Sequence, residues 1–193
     1  MFCPHTRQGL NRPKFEQKRV AGVSFLHNPI AMQVKQKSWE QFIPLPLDRV
    51  WAFFSRPENL NAITPDDVSF EMRTDLRGIE MYEGMLIQYD IRPLLGIKMR
   101  WVTEITHIRE GAYFIDEQRF GPYAFWHHQH HFEAREGGTL MRDILHYKVP
   151  YGIIGTLADT LLVDGKIEEI FAFRVKAVNK MLQEGTFAAM QTG

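Results

Sequence analysis

Phe53-Phe54-Ser55-Arg56-Pro57-Glu58-Asn59-Leu60 is the stretch that decides the fold of this chain. Just ahead of it, Leu47, Val50, Phe53 and Phe54 recur at three- and four-residue spacings, the period of a helix with one apolar face, and Pro46 suits that helix's first turn. Ser55 and Glu58 then have the spacing of a capping box. They predict a second short helix through Asn59 and Leu60, stopped by Thr64-Pro65. Before the pair, Ser38-Trp39-Glu40-Gln41-Phe42-Ile43 alternates as a strand and Pro44 ends it.

Downstream the pattern changes period. Strand-like segments are expected near Val68–Arg73, Met85–Ile91, Lys98–Ile108, Tyr113–Phe120, Tyr123–Ala134 and Thr139–Val149, separated by turns such as Arg109-Glu110-Gly111, Gly121-Pro122 and Glu136-Gly137-Gly138. Connections this short pair neighbouring segments as an antiparallel meander. Such a sheet has one covered face, and the cover is the last element. From about Thr156 to Gln183, Leu157, Leu161, Ile167, Phe171, Val175, Val178 and Leu182 step mostly by three or four, with Gly185 placed to end a helix and Asp164-Gly165 able to bend it.

Composition is that of one globular domain: 193 residues, 45% hydrophobic and 24% charged, with 23 basic residues balanced by 23 acidic ones. The balance is uneven along the chain. Residues 1–34 hold Arg7, Arg12, Lys14, Lys18 and Arg19 against Glu16 alone, so the remainder is about four units acidic. DNA is therefore not an expected partner of the main body, because phosphate binding needs clustered bases. Three regions are expected: a flexible basic extension over residues 1–34, a domain over 35–185 and a short tail over 186–193. No run reaches the length of a transmembrane segment, and the single Cys3 fits a reducing compartment, so the expected location is cytoplasmic.

The order of strand, two short helices, six strands and a long helix, with Phe53–Leu60 after the first strand, resembles the START-like superfamily. Its members include Bet v 1-type proteins, lipid-transfer START domains and polyketide cyclases. The resemblance covers roughly residues 37–184. Gly121-Pro122-Tyr123, Trp126-His127-His128 and Asp116-Glu117-Gln118 are similar to an uncharacterised bacterial subgroup with no established reaction. It implies a helix-grip fold of class α+β, in which a curved antiparallel sheet of about seven strands wraps a long C-terminal helix. It also implies a hydrophobic small molecule or lipid as partner, held between the two.

Alternation proposes the pocket walls. Met85, Ile87 and Tyr89 share one face, as do Met99, Trp101 and Thr103, as do Trp126, His128, His130 and Phe132, and as do Asp143 and Leu145; Phe171 and Val175 face them from the helix. Phe114, Asp116 and Gln118 share a face, but Tyr113 and Ile115 make the opposite face equally apolar, so the orientation of that strand stays open. His127-His128-Gln129-His130-His131 holds four of the eight histidines; its two pairs point to opposite faces and cannot serve one ion, so no metal and no cofactor is expected. His128, His130 and Asp143 are the candidates for an acid/base set of cyclase or dehydratase type, with a mutually satisfied polar cluster as the alternative. Arg174, flanking the helix stripe, is placed to meet a ligand carboxylate or to pair with an acidic strand residue, and pairing is the expected role because a lone buried guanidinium is costly. The apolar loops Pro93–Ile97 and Pro150–Gly155 suggest a lid, a homodimer contact being the rival use. A protein or RNA interaction module acting through the basic extension is the third class of function considered.

Overall fold

The computed structural model describes residues 34–68, 70–92, 97–150 and 157–187. The basic extension and the tips of the two apolar loops lie outside the described residues, as does the tail from residue 188.

Strand β1 (Lys35–Ile43) begins three residues earlier than its apolar alternation suggests. Helix α2 (Leu157–Glu184) supplies the reason. Lys35 and Lys37 pair with Asp164 and Glu168 of α2, and the Trp39 indole donates to Glu168 at 3.0 Å while stacking on Phe171, with ring centroids 3.7 Å apart. Helix α1 (Leu47–Phe54) follows and buries Val50, Phe53 and Phe54.

The expected capping box does not form. Ser55 stays in a near-helical conformation (φ −78°, ψ 4°) as the C-cap of α1, its N–H bonded to the Trp51 carbonyl, whereas an N-cap needs extended backbone. Arg56 takes that extended conformation, and the second helix is a 3₁₀ helix (Pro57–Ile63) with Pro57 in its first turn. Buried Asn59 then donates from Nδ2 to the Phe53 carbonyl at 2.9 Å, which satisfies a backbone acceptor left over at the end of α1.

The remaining strands are β2 (Phe70–Met72), β3 (Leu86–Ile91), β4 (Met99–Arg109), β5 (Tyr113–Phe120), β6 (Phe125–Arg135) and β7 (Gly138–Lys148). They pair antiparallel in chain order, and β1 closes the far side against β7, giving one curved seven-stranded sheet ordered β1-β7-β6-β5-β4-β3-β2. Two irregularities in the β4–β5 ladder, at Val102/Thr103 and Ile105/His107, change the phase of β4. Ile105 lies opposite Asp116, and past the second bulge Ile108 rather than His107 lies opposite Phe114. This resolves the orientation of β5: Phe114 and Asp116 face the helix.

Helix α2 runs unbroken through Asp164-Gly165, where the Tyr147 hydroxyl donates to Asp164 at 2.6 Å. Its buried stripe is Val163, Ile167, Phe171, Arg174, Val178 and Met181, so the charged Arg174 and Met181 take the places expected for Val175 and Leu182, which are half-buried. Past the helix end, Gly185 adopts φ +68°, and the N–H groups of Gly185 and Thr186 cap the carbonyls of Leu182 and Met181. That reversal brings Phe187 into the core, stacked on Phe53 with centroids 4.4 Å apart.

The core is divided. One cluster joins α1, the sheet and the end of α2 around Phe53, Phe54, Phe114, Phe132 and Phe187; a second gathers Met85, Ile87, Tyr89, Trp101 and Ile105; a third holds Leu145, Tyr147, Ile167 and Phe171. At the turn into β7 the Ile43 carbonyl of β1 approaches so closely that a Cβ on Gly138 would stand 2.3 Å from its oxygen. Gly138→Ala is expected to lower stability by about 1–3 kcal/mol, the usual cost of forced overpacking. Urea denaturation should show an earlier midpoint with an unchanged slope.

Candidate functional site

Three neighbouring strands bring four ionisable side chains together on the face beneath α2. Register places Asp116 of β5 opposite His128 of β6, and His130 of β6 opposite Asp143 of β7. His128 and His130, two apart on one strand, point the same way, and their rings lie 3.8 Å apart. His128 directs Nε2 to Asp143 Oδ1 at 2.9 Å and Nδ1 to Asp116 Oδ2 at 3.3 Å. His130 directs Nε2 to Asp116 Oδ2 at 2.9 Å, and its Nδ1 lies 2.9 Å from Asp143 Oδ1 without hydrogen-bond geometry. Trp126 Nε1 donates to the second oxygen of Asp116 at 3.3 Å, and Arg174 Nη1 stands 3.5 Å from Asp143. Phe114 stacks on the His130 ring at 4.1 Å, and Phe171 meets His128 edge-on at 5.4 Å. On the outer face His127 and His131 are linked through Gln129, with His127 also on Glu117 at 2.8 Å.

Asp116, His128 and His130 form part of the wall of a cavity of about 560 Å³ between the sheet, the 3₁₀ helix and α2. Of the residues that alternation proposes as pocket walls, Ile87, Tyr89, Met99, Trp101, Thr103, Trp126, His128, His130 and Phe171 line it. The other five sit elsewhere for packing reasons. Met85 is buried among the residues of the second core cluster, and Phe132 meets Trp51 edge-on at 5.4 Å. Leu145 is fully buried in the third core cluster. Asp143 is engaged by both imidazoles, outside the lining, and Val175 gives its carbonyl to Gln41 of β1. Alternation missed Phe70, Ile97, Leu162 and Arg174, which also line the cavity; Ile97 and Leu162 are at least half exposed and mark its mouth. Arg174 was expected on the flank of the helix stripe as the partner of an acidic strand residue; it stands 3.5 Å from Asp143 of β7, but within the buried stripe and in the cavity wall. Gln118 holds one rim, bonding both the N–H and the carbonyl of Tyr123, another lining residue.

No protein-family model matches this sequence, and no curated protein does. Solved structures do resemble it. Protein NE0264 from Nitrosomonas europaea is 14% identical over 78% of this chain and 95% of its own, with a TM-score of 0.57. TTHA0849 from Thermus thermophilus is 22% identical over 80% and 99%, with a TM-score of 0.55. Ara h 8.0201 is 16% identical over 77% and 99%, with a TM-score of 0.51. What these structures share with this chain is the fold, a curved antiparallel sheet around a long C-terminal helix. In this helix-grip arrangement the sheet's concave face and the long helix are the natural walls of a cavity, and here the buried ionic set occupies one of them. Among the described residues no helix is long and apolar enough to cross a membrane.

Asp116, His128 and His130 place one ligand atom each within 4.8 Å of one another, close enough to hold a metal ion. The donors are, however, already matched to one another, and the Arg174 guanidinium adds positive charge beside Asp143. The arrangement suits a proton better than a dication. Burial on its own would raise the carboxyls of Asp116 and Asp143, but His128 and His130 outweigh it and hold both well below the usual carboxylate range. Burial would likewise push His128 down, yet the two carboxylates move it above the ordinary imidazole value. Tyr89 is pushed up by burial and by the charge of Asp116, which keeps its hydroxyl protonated.

The signs give a defined pH window. The contribution of His128 is fully present below the ordinary histidine value and is lost as pH rises through its raised one; the contributions of Asp116 and Asp143 are present above the ordinary carboxylate value and are lost as pH falls through their lowered ones. The Tm difference between the protein and its Asp143→Asn variant is therefore expected to be widest between about pH 4 and 6.5 and to narrow on both sides. An NMR titration should place the His128 ring above the ordinary histidine value and return it towards that value in the variant.

Proposed function

We propose that the domain spanning residues 35–185 binds a hydrophobic or aromatic small molecule, a lipid included, between its sheet and α2. One observation carries this: a cavity of about 560 Å³ whose walls are largely apolar and aromatic, within the range of small-molecule sites. Trp101, Trp126 and Tyr89 offer rigid aromatic contact, and Trp101 can do so at little cost because its indole N–H is satisfied by Thr103 at 2.8 Å. Binding without turnover is favoured over cyclase or dehydratase chemistry. The His128 and His130 rings are held between Asp116 and Asp143, with every ring nitrogen within 3.3 Å of a carboxylate and only His130 Nδ1 left without a hydrogen bond, which favours a charge-matched cluster over a base turned to a ligand's proton. The cytoplasm as location and a homodimer as assembly belong to the same proposal.

Native mass spectrometry of the untagged protein is expected to show an adduct of small-molecule mass, or to acquire one from a panel of lipids and polyketide-like aromatics. Ile87→Trp, which places a large side chain in the cavity wall, should abolish the adduct while far-UV circular dichroism and a cooperative thermal transition stay native. A bare mass throughout, with the wild-type chain folded, counts against a binding cavity.

A further inference from the structure

Arg174 is the least satisfied buried cation in the site already described. Its side chain is 9% exposed and lines the cavity, yet Nε and Nη1 are buried with no hydrogen-bond acceptor among the described residues. Its ion-pair partner, Asp143 Oδ1, is 3.5 Å from Nη1 and is already approached at 2.9 Å by nitrogens of both histidines. Phe171 covers one face of the guanidinium at 4.8 Å, which contributes attraction but accepts no N–H bond. Lys166, another cation in the cavity wall, is by contrast spent on Asp67 and Glu169. A buried donor without an acceptor carries its full desolvation cost, and an arginine has five such donors fixed in a planar fork that matches carboxylate geometry.

We infer that the cavity takes an amphipathic acid whose carboxylate is held by Arg174 and whose apolar body lies along Trp101, Tyr89, Phe70 and Ile87. This rests on the cavity being a binding site and specifies what enters it. A carboxylate fits better than a phosphate, because a dianion would bring a second negative charge towards Asp116 and Asp143. A neutral end would satisfy the N–H groups without answering the charge, and would be held less strongly.

The test compares dodecanoate with methyl dodecanoate on the full chain by isothermal titration calorimetry, with neutral N-phenylnaphthylamine fluorescence as a probe of the apolar cavity alone. Dodecanoate is expected to bind roughly tenfold or more tightly than its ester, as a charge-assisted hydrogen bond predicts. Arg174→Met should bring the two to near parity with ester affinity kept, and Arg174→Lys should retain part of the preference. Should a variant fail to fold, the Arg174 Nε–H resonance of the wild-type protein supplies an independent readout: it should shift on adding the acid and not on adding the ester. Equal binding of acid and ester, or an unmoved Nε–H signal in the acid-saturated protein, overturns the carboxylate assignment and leaves the cavity standing. Binding of N-phenylnaphthylamine with neither dodecanoate nor ester does the same. Absence of all three overturns the binding cavity itself.

Discussion

The ion set of Asp116, His128, His130 and Asp143 is the constraint to which the interior answers. Charges taken out of water cost several kcal/mol each unless matched, and breaking a buried pair costs more than never having made it. Here the matching is distributed: Asp116 receives both imidazoles and the Trp126 indole, while Asp143 lies between the same imidazoles and Arg174. Three strands and α2 therefore share one electrostatic junction. None of them can slide by a residue without exposing a charge to apolar surroundings, so the junction fixes register as well as stability.

The same junction accounts for the divided core. A single apolar core would require α2 to settle against β4, β5 and β6 together, but a charged group stands in its buried stripe at Arg174. The helix instead packs on aromatic residues to either side, Trp39 against Phe171 near its middle and Phe187 against Phe53 beyond its end. Between these contacts the concave sheet has more surface than one helix covers, and the cavity is the remainder.

Much of this was legible in the sequence, and the exceptions have physical causes. The meander followed from alternation and short turns, and α2 from its spacing, because both signals are local. His128 and His130 on the inner face, and His127 and His131 on the outer, follow from the period of two. The orientation of Asp116 was not readable, because the phase of β4 against β5 depends on bulges that no residue in either strand announces. The pairing of β1 with β7 is a contact across about a hundred residues and has no local trace. Ser55 and Glu58 had the right spacing for a cap, but Ser55 is the C-cap of α1, which claims its backbone first. Met85, Phe132 and Leu145 alternate correctly and still miss the cavity, since facing inward does not distinguish packing against a neighbour from lining a void.

The closure formed by Gly185 and Phe187 backs one end of the cavity wall. At that end Phe53 is both a cavity wall and the ring on which Phe187 stacks, so enlarging the cavity there would unseat the end of α2. At the mouth, Ile97 and Leu162 are exposed and carry no comparable duty. In the proposed binding role, ligand length would be gauged from that end, as by a ruler with one fixed stop. Changes in the size of molecule accommodated are cheapest at the rim.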